Sequence, residues 1–143
     1  MKIERMQISD LNEVMEIEKT SFKLPWKKAF FLYDMNRPHA FCLVAKENSR
    51  LVGYLIAWKI EEQLHLANIA AHPDERRKGI GSQLLKTILE IGKEVNCNNI
   101  FLEVRESNIP AQNFYRKFGF VHTITQKQYY HDGEDALILE KEL

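Results

Sequence analysis

Arg76-x-x-Gly79-x-Gly81 is the stretch of this 143-residue chain whose residue types carry the plainest chemistry. Three consecutive cations, Arg76, Arg77 and Lys78, lead into two glycines, and an apolar periodic run follows from Leu84. Glycine lets a backbone approach a phosphate closely and adopt positive φ. The first amides of a helix have no intrahelical acceptor, and the helix dipole favours an anion beside them. Strand, basic glycine loop and helix are the layout of an anion cradle, here read as one for the pyrophosphate of a nucleotide-bearing cofactor, the alternative being a plain basic turn. The dinucleotide fingerprint is excluded, because Leu84 stands where its third glycine would be. The phosphate-loop pattern G-x-x-x-x-G-K-S/T is not met either, so nucleotide hydrolysis has no support. Two later residues could move protons. Glu103 lies near the end of a strand pattern, where local sequence alone reads it as a solvated edge glutamate. Tyr115 sits beside Phe114 on a helix pattern, where local sequence alone reads it as a core-edge aromatic. His65 and His72 have no third ligand at metal spacing, so no metal is expected and both read as surface or strand residues.

Positioning these groups takes a definite order of elements. Residues 2–7 suit a short strand, and Ser9 or Asp10 caps a helix whose apolar stripe is Leu11, Val14, Met15 and Ile17. Pro25 opens a second helix, with Phe30 and Phe31 buried. The loop between them, Phe22 to Trp26, is either a core plug or a wall of a substrate site. Phe41–Ala45 and Leu51–Ile60 form a hairpin around the turn at Glu47-Asn48-Ser49, and Leu64–Ala71 extends the meander. That third strand carries an irregularity. Leu64 and Leu66 are apolar on even positions, whereas Ile69 and Ala71 are apolar on odd ones. Such a slip either ends the strand at Asn68 or marks a β-bulge, whose unpaired backbone groups could bond an extended, amide-bearing ligand. A helix follows from Gly81 to Val95 with Leu84, Ile88, Ile91 and Val95 on its packed face. The strand Ile100–Arg105 turns Ile100, Leu102 and Val104 one way and Phe101, Glu103 and Arg105 the other. Asn108 caps a last helix with Pro110 in its first turn, Ala111, Phe114 and Phe118 inside, and Gly119 at its end. Two strands, about 120–130 and 135–141, complete a mixed α/β domain spanning 1–143.

Composition narrows the partners. Twenty acidic residues balance twenty basic ones, which removes the strongly basic profile of a dedicated nucleic-acid binder. Cys42 and Cys97 lie far apart and read as reduced, partly buried thiols rather than a disulfide or zinc framework. The stretch MKIERMQISD lacks the apolar region of a signal peptide, and no apolar run approaches a membrane span, so a cytoplasmic protein is expected.

Arg76-Arg77-Lys78-Gly79-Ile80-Gly81 resembles the signature of the GNAT superfamily of N-acetyltransferases, in which an Arg or Gln, a Gly and a Gly or Ala stand at this spacing. The likeness is reinforced by Asn68-Ile69-Ala70, by Leu102-Glu103-Val104-Arg105-x-Ser107-Asn108, by Ala111-x-x-x-Tyr115-x-x-x-Gly119-Phe120, and by Tyr129-Tyr130 before an acidic turn. Together these resemble the RimI-type branch, which acetylates the N-terminal alanine of a small-subunit ribosomal protein. The resemblance implies a GNAT fold: a mixed sheet of about six to seven strands, four helices, and a V-shaped split between the fourth and fifth strands. It implies acetyl-CoA as cosubstrate, with the backbone of Ile69, Ala70 and Ala71 on pantetheine. The amides of Arg77, Lys78, Gly79, Ile80, Gly81 and Ser82 would hold pyrophosphate, and Asn108 would contact the cofactor as well as cap its helix. Glu103 then matches the general base and Tyr115 the general acid. Tyr129 and Tyr130 match a tyrosine pair in the peptide region, one on the incoming peptide and the other packing its strand. The acetyl group would pass directly to the amine, with no acyl-cysteine and no Ser-His-Asp arrangement.

Three functions follow from different premises. The resemblance favours N-terminal acetylation of a ribosomal protein in the cytoplasm, with no nucleic-acid or membrane partner and no metal. The same family also accepts small amines such as polyamines, amino acids or antibiotics, and fold alone does not choose among them. A non-catalytic CoA-binding module is the third, against which both Glu103 and Tyr115 stand.

Overall fold

Among the described residues, seven strands form one sheet in the order β1-β2-β3-β4-β5-β7-β6, and four α-helices accompany it. The computed structural model describes residues 1–76 and 78–143; the expectation placed on Arg77 therefore lies outside the described residues. The strands are β1 Lys2–Arg5, β2 Ala40–Glu47, β3 Arg50–Ile60, β4 Gln63–Ala71, β5 Asn99–Arg105, β6 Val121–Gln126 and β7 Ala136–Glu142. The helices are α1 Leu11–Ser21, α2 Lys28–Met35, α3 Ile80–Glu94 and α4 Ile109–Lys117. The mixed α/β fold expected from the sequence is present, with its four helices.

Each face of the sheet is covered by its own core. Leu84, Leu85 and Ile88 of α3 pack with Leu64, Leu66, Ile100 and Leu102 on one face. Leu11, Val14 and Ile17 of α1 and Phe31 of α2 pack with Val44, Tyr54 and Ile56 on the other. All these strand residues are nearly or fully buried, which removes their apolar area from water at about 25 cal/mol per Å².

The slip in β4 is a bulge, and the strand does not end at Asn68. Ile56 pairs with Asn68 and Ala57 with Leu66, so Ala67 is the extra residue; pairing continues to Gly53 with Ala71. The bulge changes which parity faces which core. Leu64 and Leu66 lie in the α3 core, as do Ile69 and Ala71 beyond it, whereas Ala70 belongs to the α1 side. The apolar pattern in the sequence thus records the bulge directly.

Beside the bulge the sheet divides. β4 and β5 run parallel and pair only from Gln63 with Asn99 to His65 with Phe101. β5 keeps its other partner, β7, along its whole length. The V-shaped split between the fourth and fifth strands is therefore present. It leaves the edge of Leu66–Ala71 that faces β5 without a strand partner.

Three local expectations are corrected. Pro25 does not open α2, which begins at Lys28 after an extended Lys27 whose side chain makes no cap bond. Phe31 is buried but Phe30 is exposed, because an eight-residue helix with apolar groups on several sides can bury only one of two adjacent rings. In α4 the buried positions are Gln112 and Tyr115, with Ala111, Phe114 and Phe118 only partly covered. Gln112 is drawn inward because its amide nitrogen donates to the carbonyls of Glu106 (2.8 Å) and Arg105 (3.1 Å), the latter also accepting from the amide of Asn108 (3.0 Å), and so ties the head of α4 to the end of β5.

Candidate active site

A cleft of about 350 Å³ occupies the split. Its walls come from the α1–α2 loop, the bulged half of β4, the end of β5 and the first turns of α4, with Tyr130 at the rim. Glu103, Asn108 and Tyr115 all border it. The cleft thus brings together residues that are 35 or more positions distant from the β4 bulge in sequence.

Glu103 and Tyr115 approach it from opposite faces of the sheet. Alternation along β5 sends Leu102 and Val104 into the α3 core and Glu103 to the α1 side. There its Oε2 lies 2.7 Å from Nε2 of His65, and its Oε1 accepts a longer bond from Tyr129 (3.4 Å). His65 is held by its ring faces: it stacks on Phe101 with centroids 4.5 Å apart and meets Trp58 edge-on at 5.1 Å. His65 is a strand residue, as expected, and its contact with Glu103 is an addition to that reading. The parallel register that sets His65 beside Phe101 also sets it beside Glu103. A carboxylate with a hydrogen-bonded imidazole behind it can take up a proton and pass it on.

Tyr115 comes from the α3 side. It packs against Phe114 and Phe120, and burial pushes its phenol well above its ordinary value. A phenol so placed keeps its proton through the neutral range and can give it to a stronger base. Its hydroxyl has no hydrogen-bond partner among the described residues, while the residue lines the cleft.

The glycine loop lies at the other end. Gly79 caps α3 in the left-handed conformation (φ +81°), which a side chain would strain. Gln83 is the first α3 residue whose amide bonds back to the cap carbonyl, so the amides of Ile80, Gly81 and Ser82 are the free ones of the first turn. A Cβ on Gly81 would stand 3.5 Å from the Phe114 ring, an ordinary contact, so α4 lies against this end of α3. An anion-bearing ligand fits here: it would meet free amides, the positive end of a 15-residue helix, and an open strand edge leading to Glu103.

The cations of the loop are not all aimed at that space. Arg76 reaches across to Ser21 (3.0 Å) and the carbonyl of Ala71 (3.4 Å), tying the loop to α1 and to the end of β4. Lys78 pairs with Glu75 at 3.0 Å, and Arg50 pairs with the same carboxylate at 3.2 Å. Asn108 accepts from the amide of Ala111 (3.1 Å) and caps α4 while facing the cleft, so the two readings of this residue are compatible.

The acceptor side carries the tyrosine pair. Tyr129 and Tyr130 meet edge to face at 5.0 Å. The guanidinium of Arg105 lies 4.0 Å from the centre of the Tyr130 ring and is itself gripped by Asp132 (2.9 Å) and Glu134 (2.8 Å). The acidic turn therefore holds Arg105, and Arg105 holds Tyr130 at the rim. Burial pushes the Tyr130 phenol up to about 12 and raises that of Tyr129 as well. Phe22 and Leu24 are exposed and line the cleft, while Trp26 packs against the core beneath α2, so the loop is both a wall of the cleft and a plug.

Sequence reasoning missed Glu18. It is 1% exposed, and its carboxylate accepts from the hydroxyl of Tyr54, from Nδ2 of Asn68 (2.8 Å) and from the backbone amide of Trp26 (2.8 Å). One side chain thereby joins α1, the loop wall, β3 and the bulge. The available signal was its spacing: Leu11, Val14 and Glu18 fall on one helical face, and an acid on an apolar face needs partners.

Comparison with known proteins agrees with this geometry. The model of the acetyltransferase (GNAT) family matches residues 11–120. A protein of Bacillus subtilis (strain 168), provisionally named ribosomal protein bS18-alanine N-acetyltransferase, is 38% identical over 96% of this chain and 92% of its own. An N-alpha-acetyltransferase of Sulfurisphaera tokodaii is 32% identical over 96% of this chain and 90% of its own. Among solved structures, the ribosomal-protein-S18-alanine N-acetyltransferase from Escherichia coli superposes with a TM-score of 0.90 at 27% identity, covering 99% of this chain and 92% of that one.

Proposed function

Because the chain belongs to the acetyltransferase (GNAT) family, we propose that it acetylates the α-amine of an N-terminal alanine, the substrate being a small-subunit ribosomal protein. It is an N-acetyltransferase, and acetyl-CoA is its donor. The ribosomal substrate is supported by the names of the Bacillus and Escherichia coli proteins it resembles. Residues 1–143 are read as one acetyltransferase domain, supported by the single sheet that runs through them. The proposed workplace is the cytoplasm, with no nucleic-acid or membrane partner. Among the described residues no helix is long and apolar enough to cross a membrane.

The carrying observation is the split cleft with Glu103 on one face and Tyr115 on the other. The free edge of β4 at Ile69, Ala70 and Ala71 suits the pantetheine amides, and the amides of Lys78 to Ser82, with Arg77 before them, suit the pyrophosphate. Asn108 would contact the same ligand from the head of α4. Acetyl-CoA supplies a thioester whose carbonyl carbon is open to an amine. The peptide enters between the Phe22–Trp26 wall and Tyr129-Tyr130.

An α-amine has a pKa of ~8, so about a tenth is neutral at pH 7, whereas lysine at ~10.4 is almost wholly charged. Glu103 therefore has only a weakly held proton to remove, with His65 behind it to share the charge. The nitrogen bonds to the carbonyl carbon, the carbon–sulfur bond breaks, and Tyr115 gives its proton to the departing sulfur. The nitrogen loses its second proton to solvent as the amide forms, solvent returns a proton to Tyr115, and Glu103 releases the one it took, so one proton is released for each ammonium acetylated. A screen of acetyl transfer across alanine-initiated peptides, lysine peptides with blocked N-termini and small amines tests the assignment. Transfer to the alanine peptides is expected, and exclusive transfer to small amines would overturn it.

A further inference from the structure

A second concavity, of about 380 Å³, opens next to the cleft and has no part in the chemistry above. It is lined by Trp26, Phe30, Tyr33, Asp34, Arg37 and Trp58. Phe30 is 54% exposed and Tyr33 67%, an unusual display of aromatic area for adjacent turns of one short helix. Phe22 and Leu24 are exposed as well, so an apolar strip runs from the cleft wall along the loop to α2. Trp26 is the shared boundary, lining both spaces.

The groove is built rather than loose. Its floor is Trp58, which stacks near-parallel to Trp26 at 6.2 Å and donates through Nε1 to the buried Asp34 (2.9 Å). Asp34 also pairs with Arg37 at 3.2 Å, and the guanidinium lies 5.4 Å from the Tyr33 ring and 5.7 Å from Trp58. The one cation in the lining is thus neutralised by the one anion. What remains on offer is aromatic faces and edges, which suit an apolar or aromatic side chain and a passing backbone.

We infer that this groove is a subsite for the downstream part of the same peptide, seating an apolar or aromatic side chain a few residues beyond the acetylated end. The inference rests on the peptide reading above and deepens it. Continuity fixes the occupant, because the groove begins where the cleft ends, at Trp26. Successive contacts link Glu103 to His65 (2.7 Å), the His65 ring to Trp58 (5.1 Å) and Trp58 to Trp26 (6.2 Å), so the groove lies within reach of the first few residues of an extended peptide, each advancing about 3.3–3.6 Å. The volume is near the lower end for ligand sites, enough for one or two side chains and not for a folded partner.

The test uses three peptides that begin with alanine: a tripeptide, a nonapeptide with Phe at its fourth and fifth positions, and the same nonapeptide with Ser there. The enzyme is compared with its Phe30→Ala, Tyr33→Ala double variant, in which two exposed rings are removed and every fully buried side chain is kept. For the unaltered enzyme, kcat/KM on the Phe peptide should exceed that on the other two by about tenfold. The double variant should lose that preference while handling the tripeptide within about twofold of the unaltered enzyme. The same preference in both proteins would overturn the subsite, as would an equal loss on the tripeptide. So would a concentration-dependent dimer that the variant abolishes with peptide preference unchanged, since it would give the groove to a second copy of the chain. Failure of the unaltered enzyme to acetylate any of the three would instead refute the peptide reading on which the subsite depends.

Discussion

Replacing Glu103 by Gln is the sharpest perturbation of the proposed chemistry. Glutamine keeps the volume of the side chain and an oxygen for the Tyr129 hydroxyl, 3.4 Å away in the native protein. It removes only the capacity to accept a proton beside His65. A positioned general base contributes about 10²–10⁴-fold, so a loss of at least about 100-fold in kcat/KM is expected at pH 7, equivalent to about 2.7 kcal/mol. Without a base, the variant depends on amine that has already lost its proton. With an α-amine pKa of ~8, that fraction rises from about one-tenth at pH 7 to about nine-tenths at pH 9. The defect should therefore shrink by roughly an order of magnitude, to about 10-fold at pH 9. The assay is acetylation of an alanine-initiated peptide, followed by CoA release and confirmed by mass, at several values between these limits. A ratio of native to variant rates that stays constant with pH, or a variant as fast as the native enzyme, would remove Glu103 from the base role.

Two further outcomes test other parts of the site. Tyr115→Phe should leave CoA affinity within about twofold and lower kcat by about 10²-fold, since only the hydroxyl is lost. Because burial raises the Tyr115 phenol, its proton is retained below the ordinary value and lost only above it. Native kcat should thus show no falling limb from this group up to about pH 10, and a limb near pH 9 that the Phe variant abolishes would contradict the assignment. Glu18→Ala strips the acceptor from Tyr54, Asn68 and the Trp26 amide at once. Urea unfolding should show a loss of about 3 kcal/mol or more, and a loss under about 1 kcal/mol would mean the network carries little.

Much of the fold was legible because local signals agreed with one another. Alternation in β5 gave the facing of Glu103, Asn108 and Gly119 bounded α4, and the Asn48-Ser49 turn set the hairpin; both turn residues take positive φ. The bulge was legible as an alternative only. Its parity slip could equally mark a strand end, and what decided it was pairing with Gly53 and Tyr54, which lie more than ten residues away. The errors in α2 have a different origin. Lys27 offers no capping side chain, so Pro25 was the only start signal, and with Phe30 next to Phe31 the sequence did not say which ring faces the core.

The site was legible in its types and hidden in its partnerships. The glycine loop stood out by residue type and spacing, whereas Glu103 and Tyr115 were singled out by the family resemblance, their local sequence reading as an edge glutamate and a core-edge aromatic. His65 did not stand out, because its significance comes from Glu103, 38 residues later on a neighbouring parallel strand. Glu18 was hidden for the same reason, its partners lying on a loop, on β3 and at the bulge. The basic loop looked more cationic than it is, since Arg76 braces α1 and Lys78 shares Glu75 with Arg50.

The central claim is that the split cleft delivers an acetyl group to a peptide α-amine. The most direct measurement is mass spectrometry of an alanine-initiated peptide, containing an internal lysine, after incubation with the enzyme and acetyl-CoA. A single acetyl group on the N-terminal nitrogen, dependent on Glu103 and Tyr115, is the expected result. Acetylation confined to the lysine side chain, or an unmodified peptide alongside rapid transfer to a small amine, would contradict it.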